Sequence, residues 1–188
     1  MKPLLIAAPI LIALLAGVVT IVVLGMLLPR HHTATRSIRL AATPQRVWDL
    51  VADISGRAAW SPGVKSIERL ADRNGHSVWK ESRSDGWSMT FEVESLEPPT
   101  RLVTRIADEK LPFAGSWTWE VTPEPARSGS DSEGADAHAG TRLRITERGE
   151  IRSAPFRYFA ALGDMSSTIQ GVLTGTASHL GEPARIEP

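Results

Sequence analysis

Trp87-Ser88-Met89-Thr90-Phe91-Glu92-Val93-Glu94 alternates strictly between large apolar and polar side chains. Successive side chains of a strand point to opposite faces, so Trp87, Met89, Phe91 and Val93 share one face of a half-wet sheet. Ser116-Trp117-Thr118-Trp119-Glu120-Val121 repeats the pattern. Working outward, the same period of two predicts strands over Val64–Leu70, Ser77–Ser82, Trp87–Leu96, Leu102–Ala107, Ser116–Val121 and Thr141–Arg148, with a shorter one over Ser37–Leu40. Arg73-Asn74-Gly75, Ser84-Asp85-Gly86, Pro98-Pro99 and Pro112-Phe113-Ala114-Gly115 separate them as turns. Strands joined mostly by short loops form an antiparallel meander.

Helical periodicity brackets this sheet. Thr43-Pro44 supplies a hydroxyl cap followed by proline at the first helical position, and Val47, Leu50, Val51 and Ile54 follow on one face. Trp60-Ser61-Pro62-Gly63 then forms a rigid turn. At the far end, Phe156, Phe159, Leu162, Ile169, Val172, Leu173, Ala177 and Leu180 make a broad apolar stripe, predicting one long helix from about Pro155 to Leu180 with Gly181 as its stop. Its internal glycines weaken intrinsic propensity, so packing on the sheet must hold it. The expected class is α+β: a curved sheet of about seven strands with this helix across its concave face.

The remaining segments are set by charge. The chain has 188 residues, 21 basic and 21 acidic, and no cysteine. Disulfides and thiolate chemistry are therefore excluded, and the charge balance gives no support for a nucleic-acid partner. Lys2 is the only charged residue before Arg30, and Leu4–Leu28 is an uncharged run long enough to cross a bilayer. It is too long for the apolar core of a signal peptide and ends Leu27-Leu28-Pro29-Arg30 rather than in a small-residue cleavage site. The expected organisation is a membrane anchor over 1–29, a juxtamembrane linker over 30–35, one domain over 36–181 and a tail over 182–188. Arg30, Arg36 and Arg39 tilt the positive-inside balance toward a cytoplasmic domain. Residues 124–140, rich in serine, glycine, alanine and acid, read as a flexible loop.

The run Thr43-Pro44-Gln45-Arg46-Val47-Trp48-Asp49-Leu50-Val51 followed by Trp60-Ser61-Pro62-Gly63-Val64 resembles the opening of START-like (SRPBCC) proteins. Within these the chain is similar to the polyketide cyclase/dehydrase and lipid transport group. Glu97-Pro98-Pro99-Thr100-Arg101-Leu102-Val103, the run from Ala107 to Glu120, and Thr146–Ile151 extend the resemblance over about residues 36–181. It implies a helix-grip fold, in which the sheet closes around the C-terminal helix and leaves an apolar cavity. Members include lipid carriers, quinone-binding proteins and aromatic cyclases, so the fold does not choose an activity.

The expected cavity residues are Trp60, Trp79, Trp87, Met89, Phe91, Trp117, Trp119, Phe156, Tyr158 and Phe159. Glu147 continues the inward parity of Leu143 and Ile145, and Glu81 shares a face with Trp79, which makes both candidate acid–base groups. No Ser-His-Asp set, phosphate loop or metal spacing is present, no cofactor is expected, and His31-His32 reads as a polar juxtamembrane flank. These readings favour a membrane-tethered domain that binds or transports a hydrophobic small molecule such as a lipid, quinone or polyketide-like compound. A cyclase or dehydratase acting on a polyketide-like substrate, or a ligand-free structural domain, is the alternative.

Overall fold

The computed structural model describes residues 3–125, 140–164 and 166–188. Helix α1 (Pro3–Leu27) precedes strand β1 (His31–Leu40), helix α2 (Pro44–Ala52) and a single 3₁₀ turn, Ser55–Ala59. Strands β2 (Val64–Arg69), β3 (Ser77–Arg83), β4 (Ser88–Glu97), β5 (Arg101–Ile106), β6 (Phe113–Pro123) and β7 (Thr141–Ile151) follow. Helices α3 (Ala154–Ala161) and α4 (Ser167–Leu180) and a two-residue strand β8 (Ile186–Glu187) end the chain. The sheet is antiparallel in the order β2-β3-β4-β5-β6-β7-β1-β8. The expected seven strands are present, and β8 adds a short eighth at the edge of β1.

The local signals act as their chemistry dictates. The Thr43 hydroxyl accepts a hydrogen bond from the Arg46 backbone N–H, Pro44 opens α2, and Val47, Trp48 and Val51 are buried. Asn74 and Gly75 both take positive φ, 52° and 82°, as a two-residue hairpin turn with right-twisted strands requires. The core lies between the concave face of the sheet and the helices. It gathers Ile38, Leu40, Leu102, Trp119, Val121, Leu143 and Ile145 from the strands, Val47 and Val51 from α2, and Ile169, Leu173 and Ala177 from α4.

Three boundaries differ from expectation. The long terminal helix is two helices. Asp164 interrupts it: one carboxylate oxygen accepts from the Ser166 backbone N–H at 2.8 Å and its hydroxyl at 2.7 Å, and the other from Gln170 at 2.9 Å. Those bonds hold the backbone out of helical register, and Gly163 beside it does little to resist. Helix α4 packs on β1 and β7, whereas α3 packs mainly against α1 and touches the sheet at its β7 side and through Phe156 on Phe113. Second, β1 starts at His31, inside the expected linker, because residues 31–40 pair continuously with β7 from His31 opposite Glu150 to Leu40 opposite Thr141. Third, the tail is anchored: the Glu182 carboxylate accepts from the Ala41 and Ala42 backbone N–H groups, and Ile186 pairs with Ile38. Strands β6 and β7 pair from end to end. The loop expected between them falls, over residues 126–139, outside the described residues.

Candidate functional site: an apolar cavity with a buried cation

Residues with inward parity on β3 to β7 do not fill the space under the helices. A cavity of about 550 Å³ remains, within the size range of small-molecule sites. Met89 and Phe91 of β4, Trp117 and Trp119 of β6 and Ile151 of β7 line it, and Phe156, Ala160 and Val172 close it from α3 and α4. Its rim is a ladder of rings: Trp87 and Phe113 have centroids 5.7 Å apart, and Phe113 stacks on Phe156 at 5.7 Å.

Among the polar groups that interrupt this apolar surface, two stand out. The first is Arg57, carried in by the 3₁₀ turn between α2 and β2. It is only 7% exposed, and its guanidinium carbon lies 5.4 Å from the Phe91 ring centroid and 5.1 Å from that of Trp119. Burial pushes its pKa down to about 10, and the charge of Glu81 opposes that shift. Glu81 is itself buried and pairs with Arg83 at 3.2 Å. The Nε and Nη2 atoms of Arg57 have no hydrogen-bond partner among the described residues, and neither do the indole N–H groups of Trp60 and Trp119. Trp60 meets Trp119 edge to face at 6.3 Å. All four of these buried atoms are donors.

The second polar group is a pair. His32 Nε2 and Glu147 lie 3.3 Å apart, each side chain 21% exposed, and both line the cavity. The sheet register creates it: Glu147 faces Ala34, and His32 faces Gly149. A side chain at 149 would collide, since a Cβ there would lie 2.0 Å from His32 Cε1, so the glycine gives the imidazole its place. Among the described residues no group of three or more His, Asp or Glu is arranged to hold a metal ion.

Of the residues read from sequence, Trp87, Met89, Phe91, Trp117, Trp119, Phe156, Glu81 and Glu147 line the cavity. Four do not. Trp60 is a core residue beneath Trp119. Trp79 stands opposite Phe91 on the β3–β4 ladder, but the Arg69 guanidinium covers its ring and its N–H donates to Ser77. Tyr158 and Phe159 sit ring to ring on α3 outside the lining, and Phe159 is largely exposed. Arg57, His32 and Phe113 were missed. Arg57 lies in a non-periodic turn and Phe113 in an expected turn. His32 read as a flank because its partner is 115 residues away in sequence.

A family model described as "Polyketide cyclase / dehydrase and lipid transport" matches residues 31–182. No curated protein matches the sequence. Among solved structures, the Zhui aromatase/cyclase from Streptomyces sp. R1128 superposes with a TM-score of 0.61 at 17% identity, covering 80% of this chain and 94% of that one. A norcoclaurine synthase from Thalictrum flavum gives 0.58 at 9% identity, covering 80% and 94%. A conserved protein from Geobacillus kaustophilus gives 0.58 at 17% identity, covering 84% and 100%. At these identities the likeness is one of fold.

Proposed function

The chain belongs to the polyketide cyclase/dehydrase and lipid transport family, and from that premise we propose that it binds a hydrophobic small molecule by an oxygen-bearing end, close to a membrane. The observation that carries this reading is Arg57. A cation buried among rings, with Nε and Nη2 lacking hydrogen-bond partners among the described residues, costs several kcal/mol relative to water, and a methionine there would avoid that cost. A ligand carboxylate, phenolate, enolate or strongly polarised carbonyl would pair with the unpartnered Nε and Nη2 atoms while its apolar body fills the cavity. The tether in this reading is α1, whose segment Pro9–Leu27 is long and apolar enough to cross a bilayer. Arg30, Arg36 and Arg39 favour the cytoplasmic side for the domain. Native mass spectrometry of the full chain released from membranes tests the reading. The wild type should carry an oxygen-containing apolar mass that Arg57→Met loses. A wild type free of adducts, or adducts unchanged in the variant, would refute it.

A second reading, cyclisation or dehydration, draws on the His32–Glu147 pair and on the solved aromatase/cyclase that shares this fold. A hydrogen-bonded imidazole and carboxylate on the wall of a ligand cavity can pass a proton to and from a bound carbonyl compound. Here Glu147→Gln should leave ligand binding intact and lower turnover of a polyketide-like substrate by roughly 100-fold or more. Unaltered turnover would remove Glu147 from any proton transfer.

A further inference from the structure

Helices α1 and α3 are fastened to each other. Arg157, buried between them, donates from Nε to the Gly25 carbonyl at 2.7 Å and from Nη1 to the Ile151 carbonyl at 3.3 Å. Gly25 permits the close approach: a Cβ there would lie 1.9 Å from the Ala154 carbonyl oxygen. Gly25 is two residues, about 3 Å of helix, from the end of the apolar segment Pro9–Leu27. A chain whose α1 crosses a bilayer therefore holds the first turn of α3 at the boundary between hydrocarbon and headgroups.

What α3 and its end present at that level is apolar. Phe156, Phe159 and Leu162 are 42%, 57% and 72% exposed. Single exposed apolar side chains are ordinary, but three within two turns, beside the anchor, form a patch. The same helix makes the cavity rim, since Phe156 belongs to the ring ladder with Phe113 and Trp87, and Ala160 and Gly163 line the opening. Aromatic and aliphatic side chains on one face of a short helix suit the headgroup boundary of a bilayer.

We infer that α3 lies in the interfacial layer of the membrane and that the cavity mouth between Trp87, Phe113 and Phe156 opens onto lipid. The ligand then enters from the bilayer without crossing bulk water. This rests on the reading of α1 as a membrane span. The occupant of the patch is the bilayer surface, because α1 fixes the orientation of α3 toward it.

The chain contains no cysteine, so single labels are clean. Phe159→Cys and Thr100→Cys, each carrying a nitrobenzoxadiazole dye, would be placed in full-length protein in vesicles of phosphatidylcholine and phosphatidylglycerol containing nitroxide-labelled lipid. Thr100 is in the β4–β5 turn, which the sheet register puts at the opposite end of the strands, roughly 30 Å from the rim. The label at 159 should lose most of its emission to the lipid quencher and the label at 100 little. Weak quenching at both positions, in a chain that resists carbonate extraction, would overturn the inference and leave the anchor standing. Shielding of position 159 from lipid quencher and aqueous iodide alike would put a second protein copy on α3 and overturn it too. Extraction of the chain by carbonate would remove the anchor reading and the inference with it.

Discussion

Helices α3 and α4 come from one apolar stripe and end in different surroundings. In α4, Ile169, Leu173 and Ala177 are fully buried against strands β1 and β7. In and just after α3, Phe156, Phe159 and Leu162 keep much of their surface open, and the helix leans mainly on α1, with a smaller contact to β7. An amphipathic period says that a face is apolar and does not say what covers it. In α4 the cover is the protein's own core. Around α3 it is divided between the cavity and, in the inference drawn above, the bilayer surface beside α1.

Truncation should separate the two helices most sharply. Leu173→Ala empties a fully buried site and should cost about 2–5 kcal/mol. Leu162→Ala should change stability by less than about 0.5 kcal/mol. Denaturant unfolding of the solubilised chain reads both values, and similar losses would mean that α3 is packed as α4 is.

Two glycines within α4 sharpen the contrast further. A Cβ at 175 would lie 2.3 Å from the Trp60 carbonyl oxygen and 2.8 Å from Pro62, so Gly175→Ala should cost about 1–3 kcal/mol. Gly171 has open space around it, and Gly171→Ala should stabilise by up to about 1 kcal/mol through helix propensity. Equal effects, read as shifts of the unfolding midpoint, would put the close face of α4 somewhere other than Trp60.

The smallest effect concerns the break between the helices. Hydrogen bonds from the Ser166 hydroxyl and backbone hold the Asp164 carboxyl below its usual range. A depressed carboxylate stabilises above its unfolded pKa, and that contribution fades as pH falls through its folded value. Below about pH 4 the break should loosen, and Asp164→Asn should flatten that part of the pH–stability profile. An unaltered profile would mean that Gly163 alone interrupts the helix.

Much of this fold was legible because its signals are local. Thr43-Pro44 starts α2, and alternation along β4 and β6 sorts Met89, Phe91, Trp117 and Trp119 inward, as the structure places them. The break at Asp164 was hidden because Phe159 and Leu162 carry the apolar stripe across it. The polar half of the site was hidden because it depends on register. His32 reaches Glu147 only through the pairing of β1 with β7, and Arg57 enters the cavity from a turn that has no period of its own. Trp79 illustrates the reverse case: its parity is inward, yet Arg69 covers it at the β2 side of the sheet.

In the proposed function, Arg57, whose buried Nε and Nη2 have no partner among the described residues, is there for a ligand. Thermal unfolding in lipid nanodiscs tests this most directly, comparing wild type with Arg57→Met in the presence of a long-chain carboxylate, a naphthoquinone or a hydrocarbon of matching size. Binding raises the melting temperature by mass action. At least one oxygen-bearing probe should raise it in the wild type well beyond the hydrocarbon. Arg57→Met should erase that difference while itself melting higher than the wild type without ligand, because the buried charge is gone. Equal shifts from the hydrocarbon, or full shifts retained in Arg57→Met, would contradict a cavity built around Arg57.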